Sequence, residues 1–516
     1  MKRSSTLSIG LSIAATVLSV TQVKAQTIGN WSTSRNDAGH AGVQKAETMI
    51  SREKLANDFK FLWKLKLGNE SGDYLSYSEP LLIFRLINSQ GFKDFVIASD
   101  KQNVYAVDSE LGKVLWNKHY EASPSTCGAS NLPMIMEPPL VINFAARRAP
   151  GARPTPPAPP LSVGQRRVGV AAGGGGFGLK GIYVLTPDGY LHEQVITTGV
   201  DFAPPVKFVP GSIGVAKGLS LNGRTMYTST ASGCAGTKNA LYAVDMSSPG
   251  YPVVNYDTKA VPQLTMMGPT QGEGLTYVVT GNGSSDTGAG IYANSVIALT
   301  PDAKVKSWYT PNGGGALRNV TPVAFTYKQK KLLLAPGKSG SFVLLDGEMP
   351  GGADHHTVIA ETAAIGSSKS DTPDAIAVWQ DSSGDAWVFA SVQGALGSAS
   401  KFGTSNGAVT HGSVVAFKIV EDGDKMSLAP QWTSADMVAP TPAVVANGLV
   451  IALAQGGSST NAKLLVLDAA TGKELYSSKS EIGTYARMAG ISVGDGHVFF
   501  VTHDNTLYSF GIGIEH

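Results

Sequence analysis

One short phrase recurs along this chain. Residues 106–116 read Ala-Val-Asp-Ser-Glu-Leu-Gly-Lys-Val-Leu-Trp, and residues 466–476 read Val-Leu-Asp-Ala-Ala-Thr-Gly-Lys-Glu-Leu-Tyr. In both copies β-formers run into an Asp, a tight turn follows with Gly112 or Gly472, and a second β run ends on an aromatic eight residues after the Asp. Weaker copies keep that spacing, from Asp245 to Val253 and from Thr300 to Trp308. A lone hairpin of this kind has no way to bury its own apolar face. Repetition at one fixed spacing therefore points to a stack of equivalent units.

The units can be counted. Each opens on a short strand introduced by Pro or Gly, at Pro80, Pro139, Pro205, Pro269, Pro322, Pro373, Pro442 and Gly490. A second strand follows, such as Phe95 to Ala98, Thr276 to Thr280, Lys331 to Ala335 or His497 to Val501, and the Asp-turn-aromatic hairpin supplies the third and fourth. Four strands per unit describe a propeller blade. The last unit stops at Asn505 to Phe510 with no fourth strand, while the lead-in strand Phe61 to Leu67 carries Trp63 with nothing before it to pair with. Together they make one blade. The expected fold is all-β: an eight-bladed propeller of four-stranded antiparallel blades, with the ring closed by an N-terminal strand. Seven blades is the count if Gly490 opens no unit. Closure removes the exposed strand edges of an open sheet.

Composition agrees with this reading. Charged residues are only 16% of the chain and glycines number 60 of 516, as expected for turn-rich strands that are largely covered. Lys2 and Arg3 precede an apolar run from Leu7 to Val20, and Val23-Lys24-Ala25 follows. This pattern is that of a secretory signal cut after Ala25, giving a periplasmic or secreted propeller over 26–516 with no transmembrane segment after cleavage. Residues 1–25 hold three basic and no acidic groups, so their removal takes the formal charge from +2 to −1. A near-neutral mature chain gives no support for nucleic-acid binding. A Pro-rich stretch within about 147–167, running Pro150 to Pro160 and flanked by Arg147, Arg148, Arg166 and Arg167, reads as a surface insertion in the second blade. Cys127 and Cys234 leave a disulfide open, and neither sits in C-x-x-C-H, so no covalent c-type haem is expected.

At the Asp-x-x-x-Gly-Lys-x-x-Trp hairpins the chain resembles the pyrroloquinoline quinone (PQQ) repeat propellers, quinoprotein alcohol dehydrogenases and outer-membrane assembly scaffolds among them. Trp31, Arg35, Asp37 and Gly39, then Ile50, Leu62 and Trp63, resemble the opening of the quinoprotein dehydrogenases. For the dehydrogenases the resemblance implies PQQ over the ring axis, held by calcium, with a carboxylate base beside it. It implies Asn282, in Gly281-Asn282-Gly283, as a calcium ligand. Separately from the resemblance, Asp286 lies four residues on and replaces a lost ligand if that loop folds back. The resemblance also implies Lys338 beside the quinone oxygens, and Cys127 on one quinone face as the remnant of a cysteine pair.

The departures weigh against that chemistry. Gly176 stands where the family has its calcium-binding Glu, and residues 311–319 hold no acid where it has its catalytic Asp. Asn319 accepts no proton at neutral pH as a carboxylate does. The aromatic floor reads Leu264-Thr265-Met266-Met267. His355-His356 beside Asp354 reads as a surface loop rather than a metal site. Three functions stay open: a propeller binding a small-molecule ligand or protein partner without the standard chemistry, a PQQ- and calcium-dependent alcohol or sugar dehydrogenase with a rearranged site, and an envelope protein assembly scaffold.

Overall fold

A computed structural model describes residues 29–69, 77–88, 91–121, 131–136, 181–210, 216–230, 238–259, 261–263, 265, 267–367, 375–487 and 490–513. Eight antiparallel sheets form the blades of a propeller. Blade one is Leu81–Asn88, Gly91–Ser99, Asn103–Asp108 and Lys113–His119, paired in that order. Blade two is Leu132–Ile135, Gly181–Leu185, Tyr190–Val195 and Val206–Lys207; blade three is Ala216–Asn222, Thr225–Thr230, Ala240–Asp245 and Val253–Asp257. Blade four is Thr270–Gln271, Thr276–Val279, Val296–Leu299 and Val305–Tyr309; blade five is Val323–Tyr327, Lys330–Pro336, Phe342–Asp346 and Ala360–Glu361. Blade six is Ile376–Gln380, Ala386–Gln393, Gly412–Asp422 and Lys425–Thr433, and blade seven is Val444–Ala446, Leu449–Ala454, Lys463–Asp468 and Glu474–Ser477. Blade eight takes Ser492–Gly494, His497–Val501 and Thr506–Ile512 from the C-terminal end and Phe59–Lys66 from the N-terminal end. The two ends of the chain thus close the ring.

Two unit openings differ from the expectation. The first strand of blade two is Leu132–Ile135, ahead of Pro139, and Val206–Lys207 after Pro205 is that blade's outer strand rather than the start of blade three. The cause is the insertion: residues 137–180, which include Pro139 and the Pro-rich stretch, separate the first and second strands and lie outside the described residues.

Neighbouring blades are tied by the recurring aromatic. Trp63 of blade eight donates Nε1–H to the Ser109 carbonyl at 2.9 Å, in the third turn of blade one. Trp116 of blade one does the same to Ile196 of blade two at 2.8 Å, and Trp432 of blade six to Ala469 of blade seven at 2.9 Å. Under each indole lies a glycine with φ of +61°, +67° or +71° (Gly112, Gly199 and Gly472), where an added Cβ would sit 2.5, 2.6 or 2.3 Å from the ring. Only glycine combines the left-handed turn with a surface flat enough to receive the indole. Between the blades lie fully buried aliphatics such as Val96, Ile97, Val107 and Val498, each stabilising the fold by roughly 1.5–3 kcal/mol.

At the axis the chain does something the repeats do not announce. Residues 31–44 travel round the inside of the ring and bond to the blades in sequence. Trp31 exchanges backbone bonds with Leu82 of blade one, and the Ser32 carbonyl accepts from Ile135 of blade two at 2.8 Å. The Thr33 hydroxyl donates to Leu219 of blade three at 2.6 Å. The carbonyls of Ala38, Gly39, Ala41 and Gly42 then accept from Gln271, Ala324, Val378 and Val445, one each from blades four to seven. Val43–Gln44 pairs parallel to blade seven, and the Gln44 amide donates to Val493 of blade eight at 3.2 Å.

This circuit carries buried polar side chains. Arg35, 1% exposed, donates to the Ala443 carbonyl at 2.6 Å, and its own backbone N–H donates to Glu79 at 3.0 Å. Glu79 also accepts from the Trp31 indole, and burial, only partly offset by Arg35, pushes its carboxyl up to about 7. Its free oxygen would meet a Cβ on Gly490 at 2.5 Å, and Gly490 has φ +75°, so the eighth unit opens on glycine where others use proline. Burial holds His40, whose nitrogens face the Ser34 and Pro269 carbonyls, down to about 4.

Two measurements follow from this architecture. Gly112→Ala meets both a left-handed backbone and the Trp63 ring, whereas Gly423→Ala, at φ +59° with nothing within 4 Å, meets only the backbone strain. Urea unfolding should show Gly423→Ala losing about 1–2 kcal/mol and Gly112→Ala a further ~1–3 kcal/mol from overpacking; equal losses would refute the docking role. In the pH dependence, Glu79 contributes stability that is full below 4.5 and lost as pH rises to about 7, because the folded state holds the extra proton. His40 has the opposite sign: its contribution is full above 6.5 and lost as pH falls towards about 4. The two slopes, each at most about 1.4 kcal/mol per pH unit, oppose between 4.5 and 6.5. The unfolding free energy across that range should rise with pH in Glu79→Gln and fall with pH in His40→Gln; matching slopes in the two variants would overturn the assignment.

Candidate functional site

In an antiparallel blade, connections alternate between the two faces of the ring. Those from second to third strand, and from one blade's outer strand to the next blade's inner strand, emerge on the same face. Five such connections, from the junction of blades four and five round to that of blades seven and eight, converge on an open cleft of about 450 Å³. Only near the axis can so many blades share one surface. The volume lies within the roughly 300–1,000 Å³ of small-molecule sites.

The polar lining is Asn319, Gln393, Gln455, Ser458, Tyr485 and Arg487, and the remainder is Ala and Gly. Asn319 precedes Val320 and Thr321, which are fully buried, and Thr321 bridges to Ala375 while its hydroxyl accepts from the Met267 backbone at 3.0 Å. The Asn319 Oδ1 is buried and has no hydrogen-bond partner. Such an orphaned acceptor costs about 1–3 kcal/mol when left unsatisfied, so this amide is prepared for a donor. Gln455 is held through its backbone: its N–H donates to Ala439 at 3.2 Å and its carbonyl accepts from Ala486 at 2.8 Å, joining two connections of the wall. The Tyr485 ring stacks on His503 at 4.4 Å. Arg487 is exposed at the rim.

Amides, hydroxyls and one guanidinium make a site that presents both donors and acceptors, with the guanidinium as the charged group among its described side chains. None of the described lining side chains is a carboxylate or an imidazole. Calcium takes several hard oxygen ligands, usually including carboxylates, so these residues do not fit a calcium-bridged quinone.

The residues singled out in the sequence are dispersed. Asn282 is exposed in the second connection of blade four, outside the cleft lining. Asp286, also exposed, accepts from the Ala289 backbone at 3.0 Å and caps the short 3-10 turn Thr287–Ala289. Lys338 pairs its backbone with Leu317, two residues before Asn319, but its ammonium is exposed and donates to the Asn312 carbonyl at 3.3 Å. Cys127, Cys234, Gly176, Leu264 and Met266 lie outside the described residues. The Asp354 loop is used locally: Asp354 accepts from the His356 and Thr357 backbones at 3.0 Å, and His355 stacks on Trp308 at 3.4 Å. Of the positions read in sequence, Asn319 reaches the cleft. Gln393, Gln455, Ser458, Tyr485 and Arg487 were missed, because no motif marks a residue whose partner loops come from other blades.

No family model matches the chain, and no curated protein matches it. Among solved structures it is similar to the quinohemoprotein alcohol dehydrogenase of Comamonas testosteroni, with a TM-score of 0.56 and 13% identity over 95% of this chain and 82% of that one. A quinohemoprotein alcohol dehydrogenase from Pseudomonas putida gives a TM-score of 0.54 at 13% identity over 95% and 81% of the two chains. A europium-containing methanol dehydrogenase gives 0.52 at 12% identity over 94% and 98%. At such identities the likeness establishes the fold, an eight-bladed propeller shared with quinoprotein dehydrogenases, and the chemistry is decided at the cleft.

Proposed function

We propose that this chain is an exported propeller that binds a small polar, anionic molecule in its axial cleft and does not oxidise alcohols through a calcium-held quinone. The observation that carries the reading is the lining: the Arg487 guanidinium beside the amides of Asn319, Gln393 and Gln455, with no carboxylate among the described residues. Amide and guanidinium N–H groups bind carboxylates and similar anions through hydrogen bonds that charge makes stronger. A base that removes a hydroxyl proton must ionise near neutrality, and an amide does not. Export is inferred from the basic-then-apolar segment ending at Ala25.

The similarity in fold to quinohemoprotein alcohol dehydrogenases favours a second reading, a PQQ-dependent dehydrogenase with a rearranged site that recruits Asn282, Asp286 and Lys338. Against it stand the exposure of Asn282 and the engagement of Asp286 as a cap.

A titration of the mature protein with PQQ, itself a polycarboxylate, with and without calcium and followed by dye reduction over a panel of alcohols, separates the two. Binding that ignores calcium, weakens about 10-fold or more in Arg487→Gln, and supports no dye reduction is the expected result. Calcium-dependent binding with alcohol-driven dye reduction would establish the second reading. Absence of any binding would remove the quinone from both and leave a protein-binding scaffold.

A further inference from the structure

We propose that Asp94, Glu110, Asp495 and His497 form a binding site for a divalent transition-metal ion at the seam where the ring closes. Asp94 lies in the second strand of blade one and Glu110 in its third turn. Asp495 lies in the first turn of blade eight, and His497 opens the second strand of that blade. One carboxylate oxygen from each of the three acids lies within 4.8 Å of the others. Acids alone would be an ordinary half-buried cluster; the imidazole makes the difference.

His497 is 2% exposed, and its two nitrogens are treated unequally. Nδ1 faces the Asp495 backbone carbonyl at 2.8 Å, an acceptor, so it carries the proton. Nε2 then holds a lone pair, is buried without a hydrogen-bond partner, and points at Glu110 Oε2 3.6 Å away. A lone pair facing the Glu110 carboxylate is repelled unless a cation stands between them or the ring takes a second proton. An imidazole that donates one N–H to a backbone carbonyl while offering the other nitrogen is the usual arrangement of a metal-binding histidine.

The surroundings complete the site. The Arg85 backbone N–H donates to Asp94 and orients it, and Phe499 stacks on the imidazole at 5.6 Å. A small cavity of about 80 Å³ bordered by Glu47, Met49 and Arg85 reaches Asp495. Burial, with repulsion from neighbouring acids and partly offset by His497, pushes the carboxyls of Asp94, Glu110 and Asp495 upward. One imidazole among carboxylates suits Zn²⁺ or Mn²⁺ better than Ca²⁺, which takes oxygen ligands alone. With two ligands from each blade, the ion pins the seam between blades eight and one.

Calorimetric titration of the chelator-treated mature protein with ZnCl₂, MnCl₂ and CaCl₂ tests this. Zn²⁺ or Mn²⁺ should saturate one site, raise the thermal midpoint by several degrees, and bind at least 10-fold more weakly to both His497→Gln and Glu110→Gln. Glu110→Gln sits in a turn and keeps the test intact if the buried histidine variant fails to fold. His356→Gln, on an exposed loop, should bind as the parent does. No saturable binding to the parent would overturn the proposal and leave a protonated His497 as the neutralising group. Equal binding by the parent and Glu110→Gln would overturn it too, and would place the ion elsewhere.

Discussion

Eight strands that converge on an axis present eight inward edges, and each edge carries backbone N–H and C=O groups that need partners. A buried, unpaired group costs about 1–3 kcal/mol, and an open edge invites pairing with a foreign strand. This chain answers with its own residues 31–44, which pass the inner strands in order and bond to each of the eight blades. The sequence there is built for close approach. A Cβ on Gly39 would lie 2.6 Å from the Ala324 carbonyl and one on Gly42 2.0 Å from the Arg35 guanidinium. Because each short step of the segment is matched to one blade, the circuit also fixes how many blades the ring holds.

The circuit is polar where a propeller's centre could have been apolar. Arg35 and Glu79 are taken wholly out of water, and their attraction does not repay that cost by itself. What they supply is direction: Arg35 reaches carbonyls of blades six and seven, while Glu79 receives Trp31 and the Arg35 backbone near blade one. At the periphery the indoles of Trp63, Trp116 and Trp432 do the equivalent work between adjacent blades. At these three junctions inner and outer ties hold the same blades at different radii.

The hairpin phrase made the fold legible because its spacing repeats a physical need: an Asp to hold the turn, a glycine to accept an indole, an aromatic to reach the next blade. Closure by Phe59–Lys66 could be read too, from a strand with an unmatched Trp63 at one end and a blade with no fourth strand at the other. Blade two was misread because residues 137–180 interrupt it, so proline marked the wrong openings. The axial circuit and the seam cluster were invisible for one common reason. Asp94 and Asp495, or Arg35 and Ala443, meet only after the ring closes, and no local pattern records a contact some 400 residues long. At the cleft Asn319 was singled out in the sequence, but the five other polar residues come from connections with no periodicity.

The division of labour between the two faces explains why a shared fold says so little about chemistry here. The turns that dock tryptophan, at Ser109–Gly112, Ile196–Gly199 and Ala469–Gly472, all join third to fourth strands and lie on the face opposite the cleft. They are bound by the geometry of neighbouring blades and tolerate little change. The connections that build the cleft carry no such duty: Asn319, Gln393, Gln455 and Arg487 sit where side chains answer to whatever occupies the axis. A propeller can therefore keep its ring while its site exchanges carboxylates for amides. With only 13% identity to a quinohemoprotein dehydrogenase, this chain keeps the ring that those constraints demand, while its cleft is lined, among the described residues, by amides, hydroxyls and a guanidinium.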